Sequence, residues 1–288
     1  MKKFWTLCAA LLSVATAASA QTTMSCCTKP AAGQAATETF AMLASNTDFS
    51  GGHDAPLPYT YHGEGAMVKF KTADGQTGQG FEIKSATPSK KYLFVIHEWW
   101  GLNDYIKKEA ATFARELPGV NVIALDLYDG KVATTPDEAG KYMQAVKTDR
   151  AQNIIRGAMQ YAGQDAQFAS VGWCFGGGWS LQTAWLAGPK AVGSVVYYGM
   201  PEKDVAKLKT LNTDVLGIFA SEDKWINPEV VAQFQKDMAA AKKKVTIKSY
   251  TADHAFANPS NPKYNEKFAA DAHAATVAYL RKSFKLKA

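Results

Sequence analysis

Histidine and cysteine are scarce in this chain, five and four of 288 residues, and neither CxxC nor HExxH occurs. A zinc site of the common spacings therefore has no sequence support, and no metal ion or other cofactor is expected. A basic helix interleaved with aromatics is also missing. The lysines are scattered, with one short run at Lys242-Lys243-Lys244, and the formal charge of +6 falls to +4 without Lys2 and Lys3. Nucleic acid is not an expected partner. After residue 20 no apolar run is long enough for a transmembrane helix, and no internal repeat is evident.

The start of the chain carries a positive pair, Lys2-Lys3, an apolar run over residues 4–18, and the small residues Ala18-Ser19-Ala20. This is the pattern of a signal peptide, so residues 1–20 are expected to leave by cleavage near Ala20-Gln21, with a soluble product in the periplasm or outside the cell. Cys8 leaves with it, so Cys26, Cys27 and Cys174 remain, an odd number for an oxidising compartment. Adjacent Cys26 and Cys27 are poorly placed to bridge one another. Residues 21–62 are rich in Ala, Thr, Ser and Gly and punctuated by Gly51-Gly52 and Pro56-Leu57-Pro58. They read as a flexible lead-in with room for a short helix near residues 38–44.

From residue 63 the pattern tightens into one domain running to residue 288. Short alternating runs over 66–71 and 80–84 flank Asp74-Gly75 as a hairpin-like start. Apolar strands are then expected over 92–96, 120–127, 167–173, 191–198, 215–220 and 245–250. Helices are expected over 105–117, 137–162, 179–186, 228–241 and 264–282. Such alternation means an α/β fold, a mostly parallel sheet with helices on both faces. In such sheets functional groups gather beyond the C-terminal ends of the strands.

The segment Gly172-Trp173-Cys174-Phe175-Gly176-Gly177-Gly178 lies between a strand and a helix. That is the context of a nucleophile elbow, with cysteine in the central place. A thiol nucleophile needs a base, and the base needs a carboxylate. His53 and His62 fall in the lead-in, His273 lies inside the last helix, and His97 follows a strand beside Glu98. His254 alone occupies the loop between the last strand and the last helix. Asp223 follows the preceding strand, with Glu222 and Asp253 as competitors for the acid. The order Cys174, Asp223, His254 is the nucleophile, acid, histidine order of an α/β-hydrolase.

Four motifs in order now resemble a known family: the elbow, the loop His97-Glu98-Trp99-Trp100-Gly101-Leu102-Asn103, Asp126-Leu127-Tyr128, and Asp253-His254-Ala255-Phe256-Ala257. Together they look like dienelactone hydrolase (carboxymethylenebutenolidase), and the resemblance implies the α/β-hydrolase fold, a Cys174-Asp223-His254 triad and a monomer. It also implies that Glu98 contacts the resting thiol until substrate displaces it, and that the N–H groups of Phe175 and Trp99 form the oxyanion hole. The family binds a substrate carboxylate with two arginines. Here one of those positions is Asn258, and no arginine occurs over residues 136–140. An anionic lactone would lose its bidentate partners.

The expected activity is hydrolysis of a small ester or lactone through an acyl-thioester. Acyl transfer, thioester hydrolysis, or a non-catalytic thiol sensor or binding module are the alternatives. Trp100, Tyr128, Tyr142, Trp225, Phe256 and Asn258 are the expected substrate-binding residues.

Overall fold

Asp74-Gly75 turns the chain between two antiparallel strands, β1 (Ala66–Lys71) and β2 (Thr77–Ile83), with Gly75 at φ 77°. A computed structural model describes Met1 and residues 36–287; the expected signal peptide, Cys26 and Cys27 lie outside the described residues. After the hairpin come β3 (Lys91–Ile96), α3 (Asp104–Glu116), β4 (Asn121–Leu125), α4 (Pro136–Ala145), α5 (Thr148–Ala162) and β5 (Gln167–Trp173). The second half runs α6 (Phe175–Ala187), β6 (Ala191–Tyr197), α7 (Val205–Leu208), β7 (Val215–Ala220), α8 (Pro228–Ala240), β8 (Val245–Tyr250) and α9 (Glu266–Ser283).

The eight strands form one sheet in the order β1-β2-β4-β3-β5-β6-β7-β8, parallel from β4 to β8. Every residue of β4 and β7 is buried, as expected of strands covered on both faces. The chain leaves β3 for β4 on one side and returns to β5 on the other. That reversal opens a crevice at the carboxyl ends of β3 and β5, where such sheets bind ligands.

The helical region expected over 137–162 is two helices, because Val146 and Lys147 take extended backbone (ψ 121° and 129°) between α4 and α5. Thr135 caps α4 by accepting from the Glu138 N–H, so that helix has its own start signal. The strand expected to reach residue 127 stops at Leu125. Asp126 then turns the chain by accepting from the N–H groups of Tyr128 (2.9 Å) and Gly130 (2.6 Å).

Residues 36–53 build α1 (Ala36–Ala41), a 3-10 turn (Met42–Ser45) and α2 (Thr47–Gly51), the last capped by Asn46. Phe40 and Phe49 are each 1% exposed. Burying a phenylalanine this fully contributes about 1.5–3 kcal/mol, so this part of the lead-in is held by its own apolar anchors. α1 packs on α4 and α6, which brings it beside the crevice.

Candidate active site

Cys174 joins β5 to α6 with φ 56° and ψ −119°, a left-handed conformation costly for any residue with a Cβ. Its neighbours permit the bend by having no side chain. A Cβ on Gly172 would collide with the Gly176 carbonyl, and one on Gly176 with the carbonyls of Ile96 and His97. The elbow expected from the sequence is therefore a backbone fact. The Cys174 N–H donates to the Tyr197 carbonyl at 3.0 Å, which fixes the turn against β6.

Asp223 follows β7 and is 2% exposed. Its Oδ1 accepts from the N–H groups of Trp225 (2.8 Å) and Ile226 (2.9 Å), and its Oδ2 accepts from His254 Nδ1 at 2.6 Å. The competitors are elsewhere: Glu222 is exposed, and Asp253 pairs with Lys263 at 3.0 Å. Burial pushes the Asp223 carboxyl up, but the charge and hydrogen bond of His254 and the two N–H donors hold it below its usual value. For His254 burial works downward, and the Asp223 carboxylate outweighs it, raising the imidazole well above the ordinary histidine range. Burial pushes the Cys174 thiol up, against the pull of His254, and Glu98 adds to the rise.

Glu98 follows β3 and is 7% exposed. Its Oε1 accepts from the Tyr198 hydroxyl at 3.3 Å and its Oε2 from Asn258 Nδ2, with no hydrogen bond to Cys174 among the described residues. Burial is the main reason its carboxyl is pushed up to about 7. Asn258, expected to touch substrate, is itself pinned, because its Oδ1 accepts from both the N–H and Oγ of Ser260 at 2.8 Å. The Trp99 N–H finds no acceptor among the described residues, and the Phe175 N–H is turned toward the Cys174 sulfur.

The aromatic residues divide. Trp100 lines a narrow cavity with Glu98 and Asn258. Trp225 lines a separate one with His53 and His254. Tyr128 lies against His97 (4.6 Å between ring centres) and Phe175 (5.4 Å), with Tyr142 at 6.2 Å behind it. Phe256 has no exposed surface and packs between Tyr198 and Tyr250 as core.

His97 is a structural histidine, donating from Nδ1 to the Glu98 carbonyl and accepting at Nε2 from the Leu127 N–H. Arg150 is spent on Asp74, Asp129 and the Thr77 carbonyl.

His53, set aside by the sequence reading as part of the lead-in, sits at this site. It is 7% exposed, with its ring centre 5.5 Å from that of His254 and 4.6 Å from Trp99. Burial and the neighbouring His254 lower its pKa to about 3, so it is neutral. One donor atom each from His53, Cys174 and His254 lie within 4.8 Å of one another. The sequence signal was faint: Asn46 as a helix cap with Phe49 three residues on marks a short packed helix.

The dienelactone hydrolase family model matches residues 79–284. Among curated proteins, the chain is 28% identical to Protein usf of Aquifex pyrophilus, covering 75% of this chain and 98% of that one. It is 22% identical to carboxymethylenebutenolidase 1 of Cupriavidus pinatubonensis, covering 74% and 95%. Among solved structures, a dienelactone hydrolase-like promiscuous phosphotriesterase from metagenomic libraries superposes with TM-score 0.63 at 21% identity, over 76% of this chain and 99% of that one. The Pyrococcus furiosus esterase superposes with TM-score 0.57 at 13% identity, over 79% and 98%. The chain therefore belongs to the dienelactone hydrolase family: it is an α/β-hydrolase, a carboxylic ester hydrolase similar to carboxymethylenebutenolidase.

Proposed function

We propose that the protein is an exported hydrolase that cleaves small, uncharged esters or lactones by Cys174-His254-Asp223 catalysis through an acyl-thioester. The observation that carries this reading is the 2.6 Å bond from His254 Nδ1 to the buried Asp223 carboxylate, beside a cysteine held in a nucleophile elbow. In the reaction His254 Nε2 takes the Cys174 proton and the thiolate attacks the substrate carbonyl. The N–H groups of Phe175 and Trp99 hold the resulting oxyanion. His254 returns the proton to the leaving alkoxide, then activates the water that releases the acid and regenerates the thiol.

Neutrality of the substrate follows from what surrounds Glu98. The cavity there is lined by Glu98, Glu109, Trp100, Trp173 and Asn258, with neither lysine nor arginine in its wall. Its volume of about 30 Å³ leaves little room for substrate as it stands, in keeping with a Glu98 that moves aside when substrate enters. All groups used come from one chain, in keeping with a working monomer, and export rests on the first twenty residues.

The test is turnover of a panel of p-nitrophenyl esters and of neutral and anionic lactones by the parent chain and Cys174→Ser. Neutral substrates cleaved by the parent and spared by the variant support the reading. Undiminished turnover in Cys174→Ser defeats it. Product analysis with competing alcohols separates hydrolysis from acyl transfer.

A further inference from the structure

His53 has no part in that reaction, yet it faces the nucleophile and its base. Its Nδ1 lies 2.6 Å from the Phe49 carbonyl. A carbonyl only accepts, so His53 carries its proton on Nδ1 and presents a bare lone pair at Nε2. His254 is oriented by a carboxylate in the same way, with its Nδ1 on Asp223, and its Nε2 binds an ion once the proton there has left. A carbonyl or carboxylate on one ring nitrogen is the outer support that fixes tautomer and orientation in metal-binding histidines.

The Nε2 atom of His53 is buried without a hydrogen-bond partner, and that of His254 is buried facing the Cys174 sulfur. A buried polar atom left unpaired carries a desolvation cost that a bound ion would remove.

The third donor is the Cys174 sulfur, and the three donors lie within 4.8 Å of one another. In a tetrahedral zinc site, with bonds of about 2.0 Å to nitrogen and 2.3 Å to sulfur, donors stand about 3.3–3.6 Å apart. Side-chain rotation of roughly 1 Å closes that gap. Charge also balances: a divalent ion offsets one thiolate and the Asp223 carboxylate, so the buried group is left neutral. A cavity of about 440 Å³ lined by Phe49, His53, Trp225 and His254 reaches the two histidine donors, and its wall includes the exposed Gly51 and Lys224. It provides an entry path.

We propose that His53, Cys174 and His254 form a binding site for a thiophilic divalent ion, represented by Zn²⁺, and that the bound ion silences the hydrolase by occupying the nucleophile's lone pair. Binding replaces the Cys174 S–H bond with a metal–sulfur bond and the His254 Nε2–H bond with a metal–nitrogen bond, and both protons go to solvent. No oxidation state changes. The histidines add their Nε2 lone pairs, and a fourth position stays open to water. Silencing rests on the proposed triad, whereas binding stands on the donor geometry alone.

The experiment uses the full chain with Cys8, Cys26 and Cys27 changed to Ser, so that Cys174 is the only thiol. Titration with Co²⁺ is expected to give a sulfur-to-cobalt charge-transfer band that saturates at one equivalent and is displaced by Zn²⁺. Zn²⁺ is expected to slow alkylation of Cys174 by iodoacetamide and to stop turnover, both reversed by EDTA. His53→Gln, and separately His53→Phe, whose ring can pack on Phe49 and Trp99, should weaken Zn²⁺ binding at least about 10-fold with circular dichroism unchanged.

Absence of the cobalt band, or equal Zn²⁺ affinity in the parent and both folded His53 variants, overturns the proposal. The band does not depend on turnover. A chain that hydrolyses nothing but shows the band would defeat the proposed activity and leave the metal site standing.

Discussion

Asn258 donates its side-chain amide to the Glu98 carboxylate across the crevice, at the position where the family resemblance leads one to expect a substrate-binding arginine. The residue therefore serves the enzyme's own acid. Replacing Asn258 with Arg is expected to have two effects at once: ionisation of Glu98, and a cation in a cavity that has none. Turnover of anionic lactones should rise relative to neutral esters, by roughly 10-fold or more for one charge-assisted contact of about 1.5–3 kcal/mol. Kinetics on matched neutral and anionic substrates check this, and an unchanged ratio counts against it.

Glu98 should also leave a mark on stability. Its carboxyl is raised from 4.5 to about 7 in the folded chain, so between those values the folded state holds a proton that the unfolded state has lost. Stability then falls as pH rises from about 4.5 through 7, by at most roughly 3 kcal/mol from this group. Glu98→Gln cannot titrate. His53 and His254 titrate in both proteins, so the readout is the difference: urea unfolding at pH 5 and pH 8 is expected to show a larger loss in the parent than in the variant.

Removing members of the proposed triad should separate chemistry from fold. Asp223→Asn keeps the shape but loses the charge that stabilises the His254 imidazolium, and turnover is expected to drop roughly 10²–10⁴-fold. Cys174→Ala should fall to background, with circular dichroism and unfolding midpoint close to the parent. Residual turnover above a few per cent in Cys174→Ala would show that the nucleophile lies elsewhere.

Gly176→Ala tests the elbow itself. The added Cβ meets the carbonyls of Ile96 and His97, and backbone cannot step aside as a side chain can. A loss of more than about 3 kcal/mol is expected, read as failure to accumulate folded protein or as a large drop in the urea midpoint. Gly51→Ala, with nothing near its added Cβ, is the control and should unfold like the parent.

Phe49→Ala removes a ring that touches Trp99, Trp225, His53 and His254. A cost of about 3–5 kcal/mol is expected from the cavity left behind. The same change should speed alkylation of Cys174 by iodoacetamide, because one wall of the site is gone. Equal alkylation rates at temperatures where both chains are folded would contradict that wall's role.

Most of the sheet was legible because β3, β4, β5 and β7 are short apolar runs bounded by Gly, Pro or Asp, a pattern set locally. Cys174, Asp223 and His254 were legible for a related reason: each follows a strand, and strand ends converge in a parallel sheet. What failed to show depends on contacts between distant residues. The break at Val146 and Lys147 has no Gly or Pro to announce it. Phe256 looked like a pocket aromatic because its loop carries His254, while its burial comes from Tyr198, just after β6, and Tyr250, at the end of β8. His53 belonged to a segment whose composition suggests a loose leader, and only the pairing of Phe40 and Phe49 with the site gives it a place.

The wall formed by residues 36–53 also sets an order of assembly. It is made early in synthesis, yet the surfaces it covers include Trp99, Trp225 and His254, the last of which is made some two hundred residues later. Contacts across so long a loop form late, after the local helices and strands, because the chain entropy of closure must be met first. The Cys174 thiol is therefore expected to stay open to oxidants and to misplaced pairing until residues 36–53 dock. A folding chain labelled with iodoacetamide at successive times reports that step directly, as the moment when Cys174 stops reacting.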